Sequence, residues 1–141
     1  MDACRTLPSW ARSLVEGSRV ARLGLTDDDA APRVLPVTYA LAGDRVVSVV
    51  DDKPKRVRGE ELARVRWLRA RPRAALMVDR YDDDWSRLAW VQLLGRVEVS
   101  PVDGEALAAL AAKYAPYRER APRGPLLVLR VERALWWSAR A

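Results

Sequence analysis

The spacing of apolar positions along this chain changes period several times, and each change marks an element. From Leu7 to Glu16, Leu7, Trp10, Leu14 and Val15 fall on or near one stripe, which predicts a short amphipathic helix closed by Gly17-Ser18. Period two then takes over. Arg19 to Leu25 reads as a strand with Ala21, Leu23 and Leu25 on one face, and Thr26-Asp27-Asp28-Asp29 is turn chemistry. A second strand is predicted from Pro32 to Leu41, where Leu35, Val37, Tyr39 and Leu41 alternate with Val34, Pro36, Thr38 and Ala40. Pro36 cannot donate a ladder hydrogen bond, so this strand belongs at a sheet edge or carries a bulge. Ala42-Gly43-Asp44 turns the chain tightly and Arg45 to Val50 returns as a third strand, completing an antiparallel meander.

The second half repeats these signals. Glu60 to Arg71 reads as a helix with Leu62, Val65 and Leu68 on one side, and Pro72 ends it. Arg73 to Tyr81 is a fourth strand, followed by the polar loop Tyr81-Asp82-Asp83-Asp84. Arg87 to Ser100 is long enough for a bent strand, or for a hairpin hinged near Gly95. Val102 to Tyr114 carries Leu107, Leu110, Ala111 and Tyr114 at helical spacing, and a proline-punctuated stretch leads to a last strand from Leu126 to about Ala134. No repeat, low-complexity tract or linker interrupts the 141 residues, so a single domain over 1–141 is expected. Its class is α+β, mainly β. Six short antiparallel strands need their edges covered, which favours a closed or half-closed barrel with flanking helices.

Composition narrows the chemistry. Half the residues are hydrophobic, yet no apolar run approaches the roughly 20 residues that span a bilayer. No signal-peptide pattern is present, and the lone Cys4, expected in a frayed terminus, allows no internal disulfide; together these predict a cytoplasmic protein. The absence of histidine removes Ser–His and Cys–His nucleophiles, the usual zinc ligand sets and an imidazole base. No metal site is predicted. Contiguous aspartates at 27–29 and 82–84 have diverging side chains and read as solvated turns. An enzyme built this way would draw its chemistry from a cofactor. The net charge of +6 favours an anionic partner.

The densest cationic feature is Asp51-Asp52-Lys53-Pro54-Lys55-Arg56, between the end of a strand and the start of a helix. It reads either as a solvated basic turn or as a phosphate clamp, in which lysine supplies point charge and arginine a planar fork. The arginines from Arg56 to Arg71 could also track a nucleic-acid backbone, but basic residues are dispersed over the chain and no nucleic-acid signature appears, so that partner is not expected. Aromatic choice is uneven: six tryptophans, four tyrosines and no phenylalanine. Packing accounts for Trp10, Trp67 and one member each of the pairs Trp85/Trp90 and Trp136/Trp137. Trp85, which follows three aspartates, is expected to face a ligand or a dimer partner. Tyr39 and Tyr81 are the nearest approach to proton donors, although packing accounts for both.

The order of these parts carries a resemblance. Arg33-Val34-Leu35-Pro36-Val37-Thr38, a return strand ending near Val50-Asp51-Asp52, Lys53-Pro54-Lys55-Arg56, a helix, and Arg71-Pro72-Arg73-Ala74-Ala75-Leu76-Met77-Val78-Asp79 together resemble the split-barrel superfamily of pyridoxamine-phosphate-oxidase-like proteins. Asp82-Asp83-Asp84-Trp85-Ser86-Arg87-Leu88 and Lys113-Tyr114-Ala115-Pro116-Tyr117-Arg118-Glu119-Arg120 are similar to its branch of deazaflavin (coenzyme F420)-dependent oxidoreductases. The resemblance implies a homodimer with two cofactor sites at the subunit interface and a small-molecule acceptor. It assigns the cofactor phosphate to Lys53, Lys55 and Arg56, with Val50 and Asp51 leading into them. It lays the backbone of Pro36, Val37 and Thr38 along the ring, and borders the site with Met77, Val78 and Asp79. Trp85 and Arg87 would reach the ring or its acidic tail. FMN on the same fold, and a non-catalytic F420-binding protein, are the alternatives. Lys-Pro-Lys-Arg without any histidine departs from the clamp and substrate residues of vitamin B6 oxidases.

Overall fold

The computed structural model describes residues 3–50 and 62–140. Seven strands are present among them: β1 Ala21–Thr26, β2 Pro32–Val37, β3 Ala40–Ala42, β4 Arg45–Val49, β5 Arg73–Arg80, β6 Ala89–Ser100 and β7 Leu126–Ser138. Four α-helices accompany them: α1 Ser9–Gly17, α2 Ala63–Ala70, α3 Gly104–Lys113 and α4 Ala115–Glu119. All strand pairs are antiparallel, in the order β2-β1-β5-β6-β7-β4-β3.

That order explains the shape. β2 and β3 lie at opposite edges of the sheet yet are joined by only Thr38 and Tyr39, so the sheet must curl until its edges meet. They meet without pairing, which is a split barrel. The predicted strand Pro32–Leu41 is therefore two strands. The break forms because side chains replace the missing ladder: Ser48 Oγ donates to the Thr38 carbonyl at 2.7 Å and the Tyr39 N–H donates to Tyr114 Oη at 3.2 Å. Pro36 sits on an edge strand, where its missing N–H costs nothing.

Alternation sets what the barrel encloses. Ala21, Leu23 and Leu25 of β1, Leu76 and Val78 of β5, and Val91 and Leu93 of β6 point inward and are buried. Ala11 and Val15 of α1 and Val65 and Leu68 of α2 join the same core. A second core lies outside the barrel. There α3 lays Ala106 and Leu110, with Tyr114 just past its end, over Ala40, Val47, Val49, Leu126 and Val128 of β3, β4 and β7. Asp103 fixes that helix by capping it through the Ala106 N–H and holding the Arg45 guanidinium of β4 at 2.8 and 3.1 Å. The Arg45 contact, with the cap, holds the Asp103 carboxyl down at about 2.

Sequence expectations are settled or overturned where tertiary partners decide. Of the two forms open for Arg87 to Ser100, the bent strand is the one present: β6 is one strand whose register shifts at a bulge between Leu94 and Gly95. β7 runs past Ala134 to Ser138, because β6 continues to pair with it as far as Ala89 opposite Ser138. A turn of helix, α4, occupies the proline-punctuated stretch. Cys4 is buried in a 3-10 turn against the core instead of fraying. Neither Trp136 nor Trp137 is core: they are 40% and 44% exposed. No helix among the described residues is long and apolar enough to cross a membrane.

Candidate functional site: the uncovered face of the barrel

One side of the barrel's outer surface, over β3, β4 and part of β7, is covered by α3. The face formed by β2, β1, β5 and the paired halves of β6 and β7 has no helix of the described residues packed over it. Directly paired residues share a face, so the registers give its rows. One row runs Pro36–Arg22–Met77–Gln92–Leu135 across all five strands. A second is Asp79–Trp90–Trp137, and a third Val34–Gly24–Ala75–Leu94–Arg133. Val34 is 67% exposed, while Met77, Trp90, Leu94 and Leu135 are half-buried. This is an apolar strip with few charges, unusual for a surface open to water.

The face brings together three of the residues expected at a site. Pro36 and Met77 share a row and Asp79 stands in the next; Arg22 and Gln92 complete the first row and were not foreseen. Val37, Val50 and Val78 are buried, so only their backbones can meet a ligand. The Val50 N–H is already given to the Pro125 carbonyl at 3.0 Å. Thr38 lies at the seam, with its hydroxyl 2.7 Å from the Tyr117 hydroxyl. Asp51, Lys53, Lys55 and Arg56 lie outside the described residues.

Trp85 lies in the β5–β6 connection, and its side chain is largely exposed. Asp84 shapes that loop by accepting from the Ser86 N–H at 3.1 Å and hydroxyl at 2.7 Å, contacts that depress its carboxyl pKa. Arg87 faces Asp82 at 3.3 Å, and Arg80 donates to the Arg87 carbonyl at 2.7 Å, so Arg87 is held locally. Asp27 plays the same part in the β1–β2 turn, accepting from the Ala31 and Asp29 N–H groups at 3.0 and 2.9 Å. Both aspartate runs therefore serve as turn formers, and no group of metal-binding side chains is found among the described residues. Tyr39 is buried, with burial raising its pKa and its hydroxyl committed to the Val15 carbonyl. It has no proton to offer a substrate. Tyr81 is exposed.

Arg22 was illegible because its role depends on register: only pairing places it between Pro36 and Met77. A hollow of about 460 Å³ lies between α1, β3 and α3 and is lined by Arg12, Glu16, Leu41 and Lys113 among others. Lys113 Nζ sits 3.8 Å from the centre of the Tyr39 ring.

Among solved structures, a heme-binding protein from Mycobacterium smegmatis is 26% identical, with a TM-score of 0.72 over 94% of this chain and 55% of that one. This chain thus spans about half the length of that relative. An FAD-binding protein from Mesorhizobium loti is 21% identical (TM-score 0.63, 92% and 94% covered). An F420 reductase is 18% identical (TM-score 0.63, 92% and 98% covered). At these lower identities the likeness is one of fold. No curated protein matches the sequence. A family model described as pyridoxamine 5'-phosphate oxidase matches residues 7–138. With its edge strands joined across a split barrel and nearly its whole length matched, the chain belongs to the pyridoxamine 5'-phosphate oxidase family.

Proposed function

We propose that this protein is a homodimeric oxidoreductase that binds reduced coenzyme F420 and passes a hydride to an unsaturated organic acceptor. The observation that carries the reading is the uncovered face, which gathers Pro36, Met77 and Asp79 on one apolar surface beside the exposed Trp85 loop. A likeness to an F420 reductase supports the same choice. The residues fit a flat, anionic cofactor. Pro36, Ala75 and Met77 offer a surface with little to compete for water, Arg22 supplies the cation of their row, and Lys53, Lys55 and Arg56 would hold the phosphate. A deazaflavin, when bound, supplies the hydride. The protein's own tasks are then to orient, to exclude water and to complement charge. Solvent serves as the proton source, since Tyr39 is sealed in the core.

FMN is the second reading, favoured by the family's own oxidase chemistry and by the FAD-binding relative. A binding role without turnover is the third. Heme is less well matched, because a chain without histidine lacks a common axial ligand. Fluorescence titration with F420 and with FMN decides between the first two. We expect saturable F420 binding, weakened about tenfold or more by Lys53→Ala and by Arg56→Ala, the loss typical of one charge-assisted phosphate contact. Tight FMN binding with none for F420 would move the assignment to FMN. Single-turnover oxidation of the bound reduced cofactor by enones and quinones should occur; its absence across the panel would leave a carrier or sensor.

A further inference from the structure

We propose that a cleft at the β1–β2 turn end of the uncovered face binds a metabolite-sized organic polyanion, with a flat or narrow apolar body and at least two carboxylate or phosphate groups. The cleft has a volume of about 560 Å³, within the range typical of small-molecule sites. Gly24, Leu94 and Gly95 lie along its floor, and Arg33, Arg73 and Arg133 line it with Glu132. It lies four residues along β6 from Trp90, about 13 Å at strand rise. None of its lining residues belongs to the set assigned to the cofactor, so the inference goes beyond that reading and stands or falls without it.

Charge placement argues for a ligand. Arg73, Arg96 and Arg130 are directly opposed on β5, β6 and β7, a cross-strand row of three like charges that costs stability in the empty protein. Glu132 approaches Arg96 at 3.9 Å and Glu98 approaches Arg130 at 3.7 Å, both at exposed positions where such pairs are weak. Arg73 and Arg133 have no carboxylate partner among the described residues. Arg33 lines the cleft but its guanidinium is already engaged, 4.9 Å over the Trp67 ring and 3.6 Å from Asp27, so Arg73 and Arg133 are the cations left for a ligand. Guanidinium forks of this kind match carboxylate and phosphate groups equally, so the two sources share one chemistry.

The floor argues for an apolar body. A Cβ at Gly24 would meet nothing closer than 3.7 Å, so packing does not demand glycine there. A larger side chain would fit the strand and fill the cleft. Gly24→Val is therefore a steric test that removes no charge.

Isothermal titration calorimetry at fixed ionic strength, with 2,6-naphthalenedicarboxylate, citrate and pyrophosphate as probes, tests the proposal on the whole chain. We expect at least one to bind saturably at one per chain. Arg73→Ser and Arg133→Ser should each weaken it about tenfold, and Gly24→Val should weaken the naphthalene probe more than pyrophosphate. Arg12→Ser, on α1, should change affinity less than twofold. The tighter of the carboxylate and phosphate probes identifies the source. No saturable binding of any probe overturns the proposal. So does affinity unchanged in the cleft variants, or an Arg12→Ser loss as large as theirs, which would mean a diffuse positive field.

Discussion

Lys113 illustrates how one side chain's surroundings reset its chemistry. Its ammonium lies over the Tyr39 ring, while the Arg19 guanidinium sits 4.7 Å over the neighbouring Tyr114 ring and donates to the Lys113 carbonyl at 2.8 Å. Burial, then the Arg19 charge, bring the Lys113 pKa down to about 8. The ring face favours the ammonium, but Glu16, the acid lining the same hollow, is engaged by Arg12 at 2.9 Å. An unfolded lysine keeps its proton to about 10.4, so between pH 8 and 10 the unfolded chain binds more protons and folding gains stability as pH rises. Urea midpoints of the wild type should climb over that window relative to those of Lys113→Met, whose own profile falls toward pH 10 because the buried Tyr39 hydroxyl resists ionisation; equal slopes would refute the shift. Gly95 is set by space alone. A Cβ there would lie under van der Waals contact with the Arg130 carbonyl, at 1.9 Å. Backbone cannot yield as a side-chain tip can, so Gly95→Ala should cost about 3 kcal/mol or more, measured by denaturant unfolding.

Between elements, the seam at Thr38–Tyr39 does the work that a strand ladder does elsewhere. The Tyr114 hydroxyl accepts the Tyr39 N–H and stands 2.9 and 3.1 Å from the Arg19 and Tyr39 carbonyls, so one atom ties the end of α3 to the β2–β3 seam and to the segment leading into β1. Tyr114→Phe keeps the packing and orphans a buried donor, which should cost about 1–3 kcal/mol and expose the Tyr39 amide to hydrogen exchange ahead of its neighbours. Protection unchanged at Tyr39 would show that water substitutes. This seam marks the limit of what local pattern can say. Period two placed Ala21, Leu23 and Leu25 inward and proline at an edge, because burial on one face writes itself into alternation. The break after Val37 left no trace, since its partners Ser48 and Tyr114 come from distant segments. The cationic run at Lys53–Arg56 was legible as composition, whereas the row Pro36–Arg22–Met77 needed register, which alternation fixes only to within a face. The expectation that one of Trp136 and Trp137 is core failed for the same reason: pairing with β6 carries both past Ala134 in β7, and nothing local said that both would stay exposed.

At the scale of the molecule, the two outer faces of the barrel have similar apolar character and different fates. The face under α3 buries Val47, Val49, Leu126 and Val128 almost completely. The other keeps Met77, Trp90, Leu135 and Trp137 at or near the surface, with a single cation, Arg22, inside the Pro36–Leu135 row. Covering that strip would recover about 25 cal/mol per Å² of apolar area removed from water. On the proposed reading the occupant is a second copy, which would also complete a cofactor site bordered by Pro36, Met77 and Asp79, and tryptophans at the edge of such a strip are typical anchors. The expected solution mass is therefore about twice the 15.9 kDa of one chain. Trp137→Glu sets a charge beside the row-mate Trp90 and Asp79 without touching either core. It should shift sedimentation to the monomer and weaken F420 binding together, while leaving the midpoint of unfolding of the isolated subunit within about 0.5 kcal/mol, as for other surface substitutions. A wild type that sediments as a monomer at cofactor-saturating concentration would mean that this face meets a different partner, and that the cofactor must be held by one chain alone.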